Sequence, residues 1–141
     1  MNSPAPFIRD FLIQSLQLAL ESLLPPSQVR GQLDVSGEMR GTEGAVVSAS
    51  DKGGHNALPG RILVDADVSI CVFTHLDDDT DGSRLDELVS AVFGALPSIA
   101  YPLFPGWRVT FPGIWQASSP QIMDDSYRQQ TLTATIFTQK I

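Results

Sequence analysis

Between Asp67 and Leu96 the hydrophobic pattern changes period, and this change constrains the fold more than any other feature of the chain. Along Asp67-Val68-Ser69-Ile70-Cys71-Val72-Phe73-Thr74-His75 the apolar residues Val68, Ile70 and Val72 share one face, and Ser69, Cys71, Phe73 and His75 share the other. A period of two is a strand, and apolar groups on both sides predict that both faces are at least partly covered. After the acidic stretch Asp77-Asp78-Asp79-Thr80-Asp81-Gly82, Leu85, Leu88, Val89, Val92, Phe93 and Leu96 recur at helical spacing until Pro97. Ser83, with Asp86 three residues on, reads as the capping pair of that helix.

The flanking segments fit the same scheme. Ser3-Pro4 reads as a cap and first turn, followed by Ile8, Leu12, Leu16, Ala19, Leu20 and Leu23 at helical spacing until Pro25-Pro26. Phe7, Phe11 and Leu18 broaden the apolar surface of this first helix, so that it can reach both its own sheet and a partner. Residues 32–59 form a Gly-rich excursion, in which short apolar runs such as Leu33-Asp34-Val35 and Ala45-Val46-Val47 read as short strands and Gly37–Gly44 and Asp51–Gly60 as turns or a flexible arm or hairpin, because glycine loses the most backbone entropy on ordering. Toward the C-terminus, Trp107-Arg108-Val109-Thr110-Phe111 alternates with Trp107, Val109 and Phe111 on one side. Pro112-Gly113 interrupts it before an edge segment at Ile114-Trp115-Gln116-Ala117. Tyr127–Thr138 is the last strand, with Leu132, Ala134 and Ile136 on one face. The fold expected is a single α+β domain over residues 1–141, a mixed, mainly antiparallel sheet covered by two helices, with a Gly-rich β excursion or arm.

Composition excludes several functions. Nine Lys and Arg against sixteen Asp and Glu leave a formal charge of −7, which disfavours gripping nucleic acid or anionic lipid. One cysteine, Cys71, excludes an intrachain disulfide framework, and two histidines with no CxxC pair leave too few soft ligands for structural zinc. The mostly apolar stretch Phe7–Leu24 is interrupted by Arg9, Asp10, Gln14, Ser15, Gln17 and Glu21, which argues against a membrane span. No Lys or Arg precedes it, which argues against a secretory leader.

Catalytic patterns are weak. Asp65 and Asp67 flank Ala66 as a solvated pair. Cys71 and His75 share a strand face but stand about 13 Å apart at strand rise, and Gly53-Gly54-His55 lacks the lysine of a phosphate loop. The acidic stretch matches the first half of a calcium loop at Asp77, Asp79, Asp81 and Gly82. Its twelfth position is Leu88, where a bidentate carboxylate is needed, and Glu87 misses by one residue. Asp77, Asp79 and Asp81 are therefore weak metal candidates in what reads as an exposed strand-to-helix loop, with Asp81 and Asp86 favouring the helix N-terminus. No cofactor and no catalytic residue is expected. Asp124-Asp125 reads as an Asx-type turn or as an ion-pair partner for Arg128.

The aromatics are better read as contact surface. Tyr101, Phe104, Trp107, Phe111 and Trp115 crowd a Pro-rich span; Trp107 and Phe111 suit core filling, and Trp115 suits an interface anchor. With Phe11, Leu18 and Arg128 it makes up the set of interface candidates.

The order of elements resembles the tail terminator, or tail completion, proteins of bacteriophages and prophages. The resemblance runs over Phe7–Leu24, Ile62–His75, Arg84–Leu96 and Trp107–Thr138. It is strongest at Asp124-Asp125-Ser126-Tyr127-Arg128 followed by Leu132-Thr133-Ala134-Thr135-Ile136-Phe137. A related neck or minor tail protein has the same outline. The resemblance implies a non-catalytic subunit of a ring, typically hexameric, that caps the tail tube, stops its polymerisation and offers a surface for joining the head. Its partners would be copies of itself, the tail tube protein and head-tail connector proteins. Its place would be the virion tail, after assembly in the host cytoplasm, and residues 32–59 would reach a neighbour. The alternative is a calcium-dependent or other homo-oligomeric binding module without catalysis.

Overall fold

The alternating segments pair as one sheet. In the computed structural model, which describes residues 3–31, 43–58 and 61–141, with backbone alone for 53–58, β2 (Glu43–Leu58) runs antiparallel to β3 (Arg61–His75). β3 in turn pairs antiparallel with β7 (Tyr127–Lys140) along its length, from Leu63↔Gln139 to His75↔Tyr127. A short β1 (Val29–Gly31) adds in parallel to Ala45–Val47 of β2. Three pieces, β4 (Trp107–Phe111), β5 (Gln116–Ala117) and β6 (Gln121–Met123), line the far side of β7 in succession. The strand order is β1-β2-β3-β7-β4 in a seven-stranded sheet, mixed through β1 and otherwise antiparallel.

Two helices lie on one face. Helix α1 (Ala5–Ala19) packs over β1 and β2, and helix α2 (Ser83–Ala95) over β3 and β7. The core between layers is made by Ile8, Leu12 and Leu16 of α1, Leu85, Leu88 and Val92 of α2, and the sheet residues Ala45, Val47, Val68, Ile70, Val72, Leu132 and Ile136. The register explains why these sheet residues meet: Val47↔Ile70↔Leu132 and Ala66↔Ile136 are direct cross-strand neighbours, so they share a face. Trp107 is fully buried in the same core. The α+β class and the two-helix cover are therefore as expected from sequence, and the last strand carries the predicted faces.

Four local expectations are corrected. The short strand expected at Ala45–Val47 is present but belongs to one long strand over 43–58, so the part of Asp51–Gly60 that is described is not a turn or arm; β3 supplies hydrogen-bond partners along it, and register shifts between Asp51 and Gly54 and between Asn56 and Leu58 absorb the irregular stretch. The remaining residues of the expected arm, 32–42 and 59, lie outside the described residues. The first helix ends at Ala19, with Leu20 and Leu24 still buried in the turns that follow. Its start is capped not by Ser3 but by Asp51 Oδ1, which accepts the Ala5 N–H at 3.2 Å from across the fold. Finally, Phe111 does not share a face with Trp107 and Val109. A register shift between Val109↔Thr138 and Phe111↔Phe137 inserts one residue and turns Phe111 to the face away from the helices.

Candidate interaction surfaces

The acidic loop comes first, because the structure assigns it a different task from the one its sequence suggests. Asp79 is buried, and its carboxylate accepts three hydrogen bonds: from Thr74 Oγ1 at 2.8 Å, from Arg84 N at 3.0 Å and from Leu85 N at 3.0 Å. Asp81 Oδ1 accepts the Ser83 N–H at 3.0 Å. Together the two carboxylates satisfy the first N–H groups of α2, which its sequence assigned to Ser83; the residue before the helix is Gly82, in the left-handed region at φ 81°. Burial pushes the Asp79 carboxyl upward, but the Arg84 N–H, the Thr74 hydroxyl, the Leu85 N–H and the Arg128 charge outweigh it and hold it below the ordinary carboxylate range. Asp81 is likewise held low by the Ser83 N–H and hydroxyl.

The expectation of a wholly exposed loop is thus wrong at Asp79. A helix start with orphan donors lies directly beside the loop, and an acceptor enclosed with such donors has nothing better to bind. Asp77 points to solvent instead, 90 % exposed at its side chain, with His75 Nδ1 3.7 Å from it. Among the described residues no group of three or more His, Cys, Asp or Glu side chains is placed to share a metal ion.

Two arginines fasten this end of the molecule. Arg128 Nε donates to the Asp79 carbonyl at 2.9 Å and its Nη2 to the Thr80 carbonyl at 2.6 Å, so its guanidinium clamps the acidic loop from β7. That contact replaces the expected ion pair with Asp124 or Asp125, which instead form the β6–β7 turn with φ of 53° and 54°. Arg84, which the sequence reading passed over, bonds Glu43 through two nitrogens, the Leu23 carbonyl, and Glu87 one helical turn away. Hydrogen bonds to Glu43 raise its pKa, against the effect of burial. The only sequence signal for it was an arginine in the first turn of a helix, where the dipole disfavours a cation unless carboxylates are near.

The other interface candidates separate. Phe11 is half-buried in an aromatic group, its ring 5.6 Å from Tyr101 and 6.0 Å from Phe104, while Phe7 stacks on Phe104 at 6.0 Å. Its ring contacts are thus made within the chain, and burial pushes the Tyr101 phenol up to about 12. Trp115 packs partly against the core and lines a groove of about 300 Å³ with Phe93, Leu96, Pro97, Ile99 and Tyr101. Leu18 alone of the four is strongly exposed, at 72 %, on the outer side of α1.

Exposed apolar groups missed by the sequence reading lie on the opposite side of the sheet from α1. Ile114 (73 % exposed), Ile122 and Met123 follow the broken edge formed by β4, β5 and β6. Among the described residues no strand pairs with the outer side of β5 or β6, and none pairs with the β1-side edge of β2 beyond Val47. The face of the sheet away from the helices carries Ser48, Ser69, Asp67, Thr133 and Thr135 beside Phe111 and Phe137, around a cleft of about 670 Å³. Cys71 stands on this face, half-buried, with its thiol pushed up by burial.

No protein-family model matches the chain, and a search of curated proteins finds no relative.

Proposed function

We propose that the chain is a structural subunit of a ring that ends a phage-type tail tube and presents a head-joining surface, with no catalytic step. The observation that carries this reading is the pair of unlike surfaces, unpartnered among the described residues, at opposite edges of one sheet. On the β1–β2 side stand the strand edge of β2 beyond Val47, which no described strand covers, and exposed Leu18 on α1. On the β4–β6 side stand Ile114, Ile122 and Met123 along a broken strand edge. A closed ring needs two different complementary surfaces on every subunit, whereas one self-complementary patch gives a dimer. A net charge of −7 suits a ring through which DNA passes without sticking. Arg128 is clamped onto its own acidic loop and Phe11 packs on Tyr101 and Phe104, so both already have partners within the chain, and Leu18 is the exposed one of the candidates on this reading.

Free subunits stay monomeric until a tail end templates them if the contacts offset their ordering cost only there. Electron microscopy of tails assembled with labelled protein is therefore the test, backed by light scattering of the free form. Label at the head-proximal end of the tube is the expected result, lost in Leu18→Glu and in Ile122→Glu. Label spread along the tube, or none at that end, overturns the reading.

A further inference from the structure

The cleft on the open sheet face has a composition that a protein contact would not choose. Interface cores are depleted in Ser and Asp, yet its floor is laid with Ser48, Ser69, Thr133, Thr135 and the carboxylate of Asp67, with the Gln116 amide at its margin. These groups come together because they are the outward residues of three adjacent strands: Ser48↔Ser69↔Thr133 is one cross-strand row and Ser50↔Asp67↔Thr135 the next. Within the rows Ser48 Oγ and Ser69 Oγ are 2.6 Å apart, and Thr135 Oγ1 donates to Asp67 Oδ1 at 2.9 Å. Hydroxyls so paired hold fixed directions and keep further donor and acceptor capacity, and no described group bonds the second oxygen of Asp67.

One wall is apolar. The register shift in β4 lays Phe111 on Phe137, ring centroids 5.7 Å apart and 24° from parallel, and both rings stay more than a third exposed. Ile114 continues this wall. Among the described residues no lysine, arginine or histidine lines the cleft, so no described group in it calls for an anion. Its volume, about 670 Å³, falls in the range of small-ligand sites.

We infer that this cleft binds a neutral carbohydrate. A sugar ring offers a flat C–H face to rest on the exposed phenyl rings and a rim of hydroxyls that both donate and accept. The serine and threonine hydroxyls, the Asp67 carboxylate and the Gln116 amide match that rim. The cleft shares Ile114 with the β4–β6 edge, but its polar floor of Ser48, Ser69, Asp67, Thr133 and Thr135 lies on the face of the sheet, so sugar binding read at those residues is tested separately from ring closure.

The test is a titration of isotope-labelled full-length protein with maltotriose, cellotriose and tri-N-acetylchitotriose, followed by amide chemical shifts at several protein concentrations. The expected result is saturable shifts at Ser48, Ser69, Thr133 and Thr135 with at least one of the three sugars. Asp67→Asn and, separately, Phe111→Ala should weaken binding roughly tenfold, a difference of about 1.4 kcal/mol. Glu21→Gln, far from the cleft, should leave it unchanged. If Phe111→Ala fails to fold, Asp67→Asn decides. Absence of saturable shifts with all three sugars overturns the inference. So do shifts at these amides that follow protein concentration and ignore sugar, since they would make the face a contact between copies.

Discussion

Arg84 grips Glu43 with both arms of its guanidinium, Nε to Oε2 at 2.9 Å and Nη2 to Oε1 at 2.7 Å, joining the first turn of α2 to the first residue of β2. Because Nη2 also reaches the Leu23 carbonyl at 2.7 Å, one side chain holds together α2, β2 and the turn after α1. The pair is only a quarter or so exposed on each side, so its hydrogen bonds are less screened than those of a surface ion pair. Removing the guanidinium leaves a half-buried carboxylate and a carbonyl without their donor. Arg84→Ala should cost about 2–3 kcal/mol of unfolding free energy. Arg84→Lys should recover little of it, because an ammonium cannot make the forked contact. Urea denaturation of both variants measures this.

Asp79 supports a prediction on pH. Its folded carboxyl titrates below its unfolded value, so the stability it supplies is complete above the ordinary aspartate range, near pH 4, and is lost as pH falls through the depressed folded value. Asp79→Asn should therefore be less stable than the parent at neutral pH and should lose less on acidification, so that the two melting curves converge in acid. Asp79→Ala, which leaves the Arg84 and Leu85 N–H groups and the Thr74 hydroxyl without their acceptor, should cost about 2–3 kcal/mol at pH 7. Thermal melts across pH 2–7 test both.

The β6–β7 turn is built from residues poorly suited to it. Ser126 N donates to the Met123 carbonyl at 3.0 Å, which places Asp124 and Asp125 at the two centre positions, both with positive φ. Aspartate tolerates that region and glycine prefers it. Asp124→Asn combined with Asp125→Gly should raise stability by about 1 kcal/mol, also relieving two adjacent like charges. A rise in melting temperature with unchanged circular dichroism checks it.

Gly113 lies where the broken edge crosses β7. Its φ is 84°, and a Cβ there would stand 2.5 Å from the Thr135 carbonyl oxygen, a distance no methyl group accepts. Gly113→Ala should cost about 2–3 kcal/mol. Gly106→Ala, also at positive φ but facing open space, should cost about 1 kcal/mol, from backbone strain alone. The difference between the two, read from chemical denaturation, isolates the close approach.

How much of this was legible in the sequence follows from the range over which each signal acts. The period-two run from Val68 to Val72 and the helical spacing from Leu85 to Leu96 are local, and they determined β3, α2 and the core face between them, because periodicity alone decides which side chains can be buried together. The last strand and its inward Leu132 and Ile136 were determined in the same way. The apolar run Ala45–Val47 was legible as a short strand, but its extension over 43–58 was decided only by the tertiary structure: a Gly-rich segment is a strand when a neighbour supplies its hydrogen bonds. Asp79 and Arg84 belong with it, since burial made Asp79 a helix cap, and Glu43 and Leu23, 41 and 61 residues away, made Arg84 a three-way tie. The face that Phe111 presents was likewise decided in three dimensions. One extra residue in the pairing with β7 reverses the alternation, and the sequence carries the residues of a strand but not the register in which a neighbour will receive them.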